Sequence, residues 1–364
     1  MKRGTLIILG LFVLAILFWK LSGSEKRAAF QAQTDSRSAT AQNLLKPKST
    51  VRQRFAPAAE MEANSEPAEL EMKYLSREQV EAYVQKVKRN AESLLNAFEE
   101  TKDKNFLKEA AEKFPNDPRV QLAMLNEDSL NKTLSPEERK AWLERFKISS
   151  PQNAMPNYLS AMDNLKNGQT ESALTELQSG AQKAALDCFN REKLQSREEM
   201  YLLAGLSPAE AKERAFTGLL LPLEAKMKRL SCDLADLEKN YVAAGDNASA
   251  QQIASLGIEM SRRWGNENSN PFLIGNLVGM AMENQFLKPL NPDTSYDFLG
   301  QTPGQRIQEM QDRKREIRES GKLLDQTVAQ FSDSEKLAYY NRVQVYGERK
   351  AMLWFQQTYG TNGQ

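Results

Sequence analysis

The stretch PQNAMPNYLSAMDNLKNGQTESALTELQSGAQKAAL, residues 151–186, decides the fold. Its first half places apolar side chains at Met155, Tyr158, Leu159, Met162 and Leu165, the i, i+3, i+4, i+7 spacing of a helix with one buried face. Asn167-Gly168 ends that helix. A second helix runs from about Thr170, with Ala173, Leu174, Leu177, Ala181, Ala184 and Ala185 on one stripe. Two short amphipathic helices joined by a glycine turn form an αα-hairpin, which cannot cover its apolar face alone and has to stack on neighbours.

Outward from this hairpin, five helix starts share one signature: Ser76 with Gln79, Ser135 with Glu138, Ser207 with Glu210, Thr302 with Gln305, and Ser332 with Glu335. In each, the hydroxyl can cap the third amide while the later side chain reaches back. Pro136, Pro208 and Pro303 stand at the first helical position of three of them. Toward the amino terminus the pattern predicts one helix from about Arg77 to Glu99, then short helices at Phe106–Phe114, Val120–Leu125 and Glu137–Phe146. Toward the carboxyl terminus, Glu198–Leu203 leads into the helix at Pro208, which Pro222 kinks or ends. Met227, Leu230, Leu234, Leu237 and Tyr241 form a further stripe before a turn at Gly245. Residues 271–282 are the most apolar part of the body and contain Gly275 and Gly279, read as close packing inside it. Arg306–Thr327 and Lys336–Tyr359 complete an all-α fold with almost no sheet.

Pro151, Ala161, Gly168, Ala173, Leu177 and Gly180 form the central pattern, with Phe114-Pro115-Asn116-Asp117-Pro118 where a preceding repeat would close. On these residues the chain resembles the tetratricopeptide repeat family, whose period is about 34 residues. Gly245, Ala250 and Gly257 reproduce the separations of Gly168, Ala173 and Gly180; Asn157 and Ser160 depart from the family pattern. The resemblance implies stacked αα-hairpins in a TPR-like solenoid, and the residues by themselves equally allow a helical bundle. It also implies that the first helix of the hairpin faces a concave groove, with Tyr158 and Met162 as candidates for its wall. Their own spacing, on one stripe with Leu159 and Leu165, reads both as core.

Lys2-Arg3 precedes an uncharged run from Gly4 to Trp19. At about 1.5 Å per residue the run covers roughly 24 Å, short for a span, with Trp19 and Lys20 able to extend it to the interface. Residues 1–21 are therefore expected to be a membrane anchor or signal sequence, with membrane contact through residues 4–20. Basic residues balance across the run, so orientation rests on its likeness to an export signal, which places the body on the extracytoplasmic (periplasmic or extracellular) side. Residues 22–72 hold too few apolar side chains to offset ordering entropy and read as a flexible linker. The body divides into a helical region at 73–189 and a second at 190–360 packed on it.

The 364 residues carry 49 Lys+Arg against 48 Asp+Glu, so no general charge draws the chain to nucleic acid. The sequence contains no histidine, which removes histidine-assisted nucleophiles and histidine-bearing zinc sites. It also lacks a glycine-rich phosphate loop and a calcium-loop spacing. Cys188 and Cys232 cannot make a CxxC motif; in an exported chain they are candidates for a disulfide, and buried free thiols are the alternative. No cofactor, metal site or catalytic residue is expected. These features point to a membrane-tethered scaffold for a protein partner. Helical ligand or glycan binding, and glycan cleavage by carboxylates alone, remain the other classes.

Overall fold

The computed structural model describes residues 75–126 and 134–359. The Gly4–Trp19 run and the 22–72 linker lie outside them. Among the described residues the chain is all helical, with two isolated β-bridges, Asn153 to Ala185 and Tyr296 to Gln301. In order the helices are α1 (Arg77–Lys86), α2 (Ala91–Thr101), α3 (Lys104–Lys113), α4 (Pro118–Asn126), α5 (Pro136–Ser149), α6 (Met155–Lys166), α7 (Thr170–Ala181) and α8 (Asn190–Leu203). They continue as α9 (Pro208–Thr217), α10 (Pro222–Ala243), α11 (Asn247–Trp264), α12 (Leu273–Leu287), α13 (Pro303–Thr327), α14 (Asp333–Tyr346) and α15 (Glu348–Tyr359), with a 3₁₀ turn at Val328–Gln330.

All five capping boxes form with both reciprocal bonds, at the starts of α1, α5, α9, α13 and α14. Two helices expected to be continuous are broken. The Arg77–Glu99 pattern divides into α1 and α2 because Lys88 and Arg89 take positive φ values of 61° and 49°. Local bonding offsets the cost of that left-handed turn: Asn90 caps α2 by accepting the Ser93 amide at 2.8 Å, and the Arg89 guanidinium reaches Glu109 at 2.5 Å and Glu81 at 2.6 Å. The Lys336–Tyr359 pattern divides at Gly347, whose φ of 92° suits glycine, so that the Glu348 amide can donate to the Pro271 carbonyl at 2.7 Å.

From α1 to α7 each helix packs on the next, and α2 also touches α4. The chain then turns back: α8 docks on α1 and α2, and its Met200 and Tyr201 enter the same apolar core as Val80, Leu94 and Leu107. Its seam with α2 is polar as well. Glu100 is buried with Arg197 at 3.2 Å and accepts hydrogen bonds from Tyr201 at 2.8 Å and the Leu75 amide at 2.9 Å. A buried ion pair of this kind adds little net stability, because desolvation offsets much of the attraction.

Helices α10, α11 and α12 pack on one another, with α11 also against α7. Arg263 of α11 donates to the Gly180, Ala181 and Lys183 carbonyls at 2.8, 3.2 and 2.5 Å at the end of α7, where the Gly180 carbonyl also accepts the Lys183 amide at 3.1 Å. The glycines of α12 work as close-packing positions: a Cβ at Gly279 would lie 2.5 Å from the Gly265 Cα. Helix α9 packs on α14, and α13 on α12 and α15. The expected regions 73–189 and 190–360 thus fall, as far as they are described, in one compact unit.

Candidate functional site

The helical path leaves a cleft of about 570 Å³ between α2, α4, α8 and the start of α10. Each wall follows from local sequence. Helix α2 buries Leu94 and Ala97 in the core, which leaves Glu92, Leu95, Asn96, Phe98 and Glu99 to line the cleft. In α4, Arg119, Leu122, Ala123 and Asn126 recur at three- and four-residue steps and so share a face. Asp117 fixes the start of that helix by accepting both the Arg119 amide at 2.9 Å and its guanidinium at 2.7 Å. The α8 wall opens with Cys188 and Phe189 and continues through Lys193 and Ser196; Leu220, Leu221, Pro222 and Lys226 complete the enclosure.

Phe189 is held in the left-handed region at φ 57°, with its amide donating to Asp187 at 2.7 Å. A bulky aromatic residue in that conformation is strained, and strain of this kind concentrates at functional positions. Its ring lies against Phe146 at 6.2 Å, between the cleft and the α5 side of the stack.

The polar rim is organised by charge. Burial would raise the Glu99 carboxyl, but Lys193 at 2.7 Å and Arg197 at 3.8 Å outweigh it and hold it below the usual range. Burial likewise opposes ionisation of Asp117, and the Arg119 guanidinium overcomes it. Arg119 also reaches Glu92 at 2.8 Å. Lys226 donates to the Leu125 and Asn126 carbonyls at 3.3 and 3.0 Å. Along the cleft lining, Asn126 Oδ1 and Glu99 Oε2 are buried atoms without a hydrogen-bond donor among the described residues, although Glu99 Oε2 faces the Arg197 guanidinium at 3.8 Å. The floor between these groups is apolar, formed by Leu95, Phe98, Leu122 and Leu221.

The expected groove residues are elsewhere. Tyr158 is 1% and Met162 4% exposed, and residues 153–162 are all buried. The groove assignment is therefore corrected. Helix α6 is covered on every side over this stretch, and the Tyr158 ring packs into the space that Gly180 leaves on α7, where a Cβ would stand 2.7 Å from its Cε1. Burial pushes the Tyr158 phenol up to about 12. The disulfide is corrected too, since both cysteines are free. Cys188 sits at the cleft with its thiol 3.8 Å from Met155 Sδ, whereas Cys232 lies along α10, about 15 Å of helix rise beyond Pro222. Burial pushes the Cys188 thiol up, so it is a poor nucleophile at neutral pH.

Three carboxyls away from the cleft wall are strongly raised by burial: Glu224 and Glu348 to about 7 and Glu238 to about 8. Glu224 accepts hydrogen bonds from Trp264 at 2.7 Å and Asn270 at 2.6 Å, and Glu348 from the Leu273 amide at 2.7 Å. These bonds tie α10 and α15 to the segment between α11 and α12, which is structural work. Among the described residues no group of three or more His, Cys, Asp or Glu side chains could hold a metal ion, and no helix is long and apolar enough to cross a membrane. No protein-family model, curated protein or solved structure matches the chain.

Proposed function

We propose that this protein is a non-catalytic helical scaffold, tethered to a membrane through residues 4–20 with its body on the extracytoplasmic side, that holds a protein partner in the cleft. The observation that carries this reading is the pairing of α2 with α4 as walls of a solvent-open cleft. In the sequence of hairpins α2–α3, α4–α5 and α6–α7, these are the first helices of successive pairs, which the tetratricopeptide resemblance places on a concave binding face. The cleft's volume, strained aromatic and mixed apolar and charged lining are those of a recognition site.

The test is site-specific photo-crosslinking from Leu220, which is 54% exposed at the cleft, in intact cells. A single defined adduct is expected, lost when Ala123→Trp fills the cleft and retained with an exposed control change, Lys140→Ala. An adduct that persists in the filled variant, with its thermal transition unchanged, overturns the cleft as the docking site. Carbonate washing with an intact amino terminus tests the tether, which complete release overturns.

A further inference from the structure

We propose that residues 265–272, between α11 and α12, are a pH-dependent fastening that holds α15 and opens as two buried glutamates ionise. The segment is gripped from both sides. From α10, Glu224 Oε2 accepts the Trp264 indole N–H at 2.7 Å and Oε1 accepts the Asn270 side-chain amide at 2.6 Å. From α15, Glu348 Oε2 accepts the Leu273 amide at 2.7 Å, and the Glu348 amide donates to the Pro271 carbonyl at 2.7 Å. The groups bonded to both carboxyls are uncharged N–H donors, and among the described residues no cation pairs with either.

The charges around the segment are engaged elsewhere. Arg349 meets Glu267 at 2.5 Å and Glu316 of α13 at 3.6 Å, Lys350 meets Glu267 at 3.4 Å, and Arg191 donates to the Glu267 carbonyl at 2.9 Å. The other titratable neighbours are Cys188, near Glu224, and Tyr340 of α14, near Glu348 and Glu213; Lys336 pairs Glu213 at 2.9 Å. Burial raises the Cys188 thiol and the Tyr340 phenol, so neither charges near neutrality. The cleft half is built the other way: Glu99, Glu109, Asp117 and Asp163 meet Lys193, Arg89, Arg119 and Arg139 at 2.5–2.7 Å. A cation at that distance favours the ionised carboxylate, whereas desolvation among neutral donors opposes it. Burial accordingly raises Glu224 and Glu348 from 4.5 to about 7. A carboxyl raised in this way stabilises fully below about 4.5, and that contribution is lost as the pH rises through about 7. The segment and α15 therefore loosen above neutrality while the cleft half stays closed.

Hydrogen exchange of the full-length chain between about pH 5.5 and about pH 8.5, with the intrinsic pH dependence divided out, reads this directly. Protection of the Leu273 amide is expected to fall at least about ten-fold across that range, and that of the α2 amides to change less than about two-fold. Glu348→Gln keeps an oxygen for the Leu273 amide and cannot ionise, so the fall at Leu273 should shrink at least about three-fold. Glu224→Gln turns an N–H toward Trp264 or Asn270, so the parent's own series, which needs no variant, is the primary reading. Glu238→Gln, further along α10, should leave the fall at Leu273 as in the parent. A flat parent profile at Leu273, an equal fall in α2, a Glu348→Gln series parallel to the parent's, or loss of the fall in Glu238→Gln each overturns the inference.

Discussion

Two hairpins of this chain share one glycine spacing and use it differently. In α6–α7, Gly168 turns the chain at φ 72° and Gly180 lies twelve positions on; in α10–α11, Gly245 turns it at φ 78° and Gly257 follows at the same distance. Both turn glycines have open space where a Cβ would go. The later glycines do not: Gly180 makes room for Tyr158 of its own hairpin, and Gly257 for Phe286, which comes from α12. The same spacing specifies the turn and the gap, while what fills the gap depends on whether the hairpin closes on itself or waits for a third helix.

The comparison breaks most visibly if the rings are removed. Tyr158→Ala and Phe286→Ala, at 1% and 0% exposure, should each cost about 3–5 kcal/mol in denaturant unfolding. Tyr158→Ala should also weaken the partner adduct only in proportion to unfolding. Retention of stability together with specific loss of the adduct would return Tyr158 to the binding surface.

Filling the gaps from the other side sharpens the contrast. A Cβ at Gly257 would meet three atoms of the Phe286 ring at 2.4–2.6 Å, and one at Gly180 would meet Tyr158 Cε1 at 2.7 Å. Both alanine variants should lose about 1–3 kcal/mol, Gly257→Ala the more, since three ring atoms crowd its Cβ within 2.6 Å whereas the nearest atom at Gly180 stands at 2.7 Å. Equal losses would show that the two gaps are equivalent after all.

Titration should distinguish the hairpins next. Helix α10 buries Glu224 and Glu238, whereas the buried residues of α6 and α7 include no carboxylate. Glu238 is fully buried, its two oxygens have no hydrogen-bond partner among the described residues, and burial raises it from 4.5 to about 8. A carboxyl whose folded value lies above its unfolded one stabilises fully below about 4.5, and that contribution is lost as pH rises through about 8. Thermal stability should therefore fall over that window, and Glu238→Gln should flatten it by roughly 1–2 kcal/mol at the alkaline end. A Glu238→Gln profile that parallels the parent's would place the titration elsewhere.

The smallest effects belong to the turns. Gly168→Ala and Gly245→Ala, with equivalent positive φ and equally open surroundings, should each cost about 1 kcal/mol, and nearly the same amount.

Much of the fold was legible because its signals are local. A serine and the glutamate three residues later identify a helix start without reference to any other part of the chain, as do Pro136, Pro208 and Pro303. Gly168 and Gly245 announced their turns in the same way. The breaks at Lys88–Arg89 and at Gly347 were less visible. The first is sustained in part by Glu109, twenty residues on, and the second by a carbonyl at Pro271, partners that a window around the break does not contain. The cleft was hidden for a related reason. Glu99 and Lys193 meet only after α8 has turned back, and neither residue is unusual among the many charges around it. Tyr158 was misplaced by the family resemblance, which put the first helix of the hairpin on a concave face; its own apolar stripe with Leu159 and Leu165 read it as core, where it lies. Asp117-Pro118-Arg119 was the best sequence clue to the site, since it fixes both the α4 start and one rim cation.

The return of α8 to α1 and α2 also sets an order of events during synthesis. Arg197 and Tyr201 reach Glu100 across sequence separations of 97 and 101 residues. At translation rates of about 5–20 residues per second, α2 leaves the ribosome roughly 5–20 s before the groups that neutralise and bond its buried glutamate. During that interval the apolar face which Met200 and Tyr201 later cover is open to solvent. A nascent chain paused between α7 and α8 is thus the form most exposed to aggregation and to chaperone capture. Completion of α8, rather than of the first hairpins, is the point at which this half of the molecule becomes resistant to proteolysis.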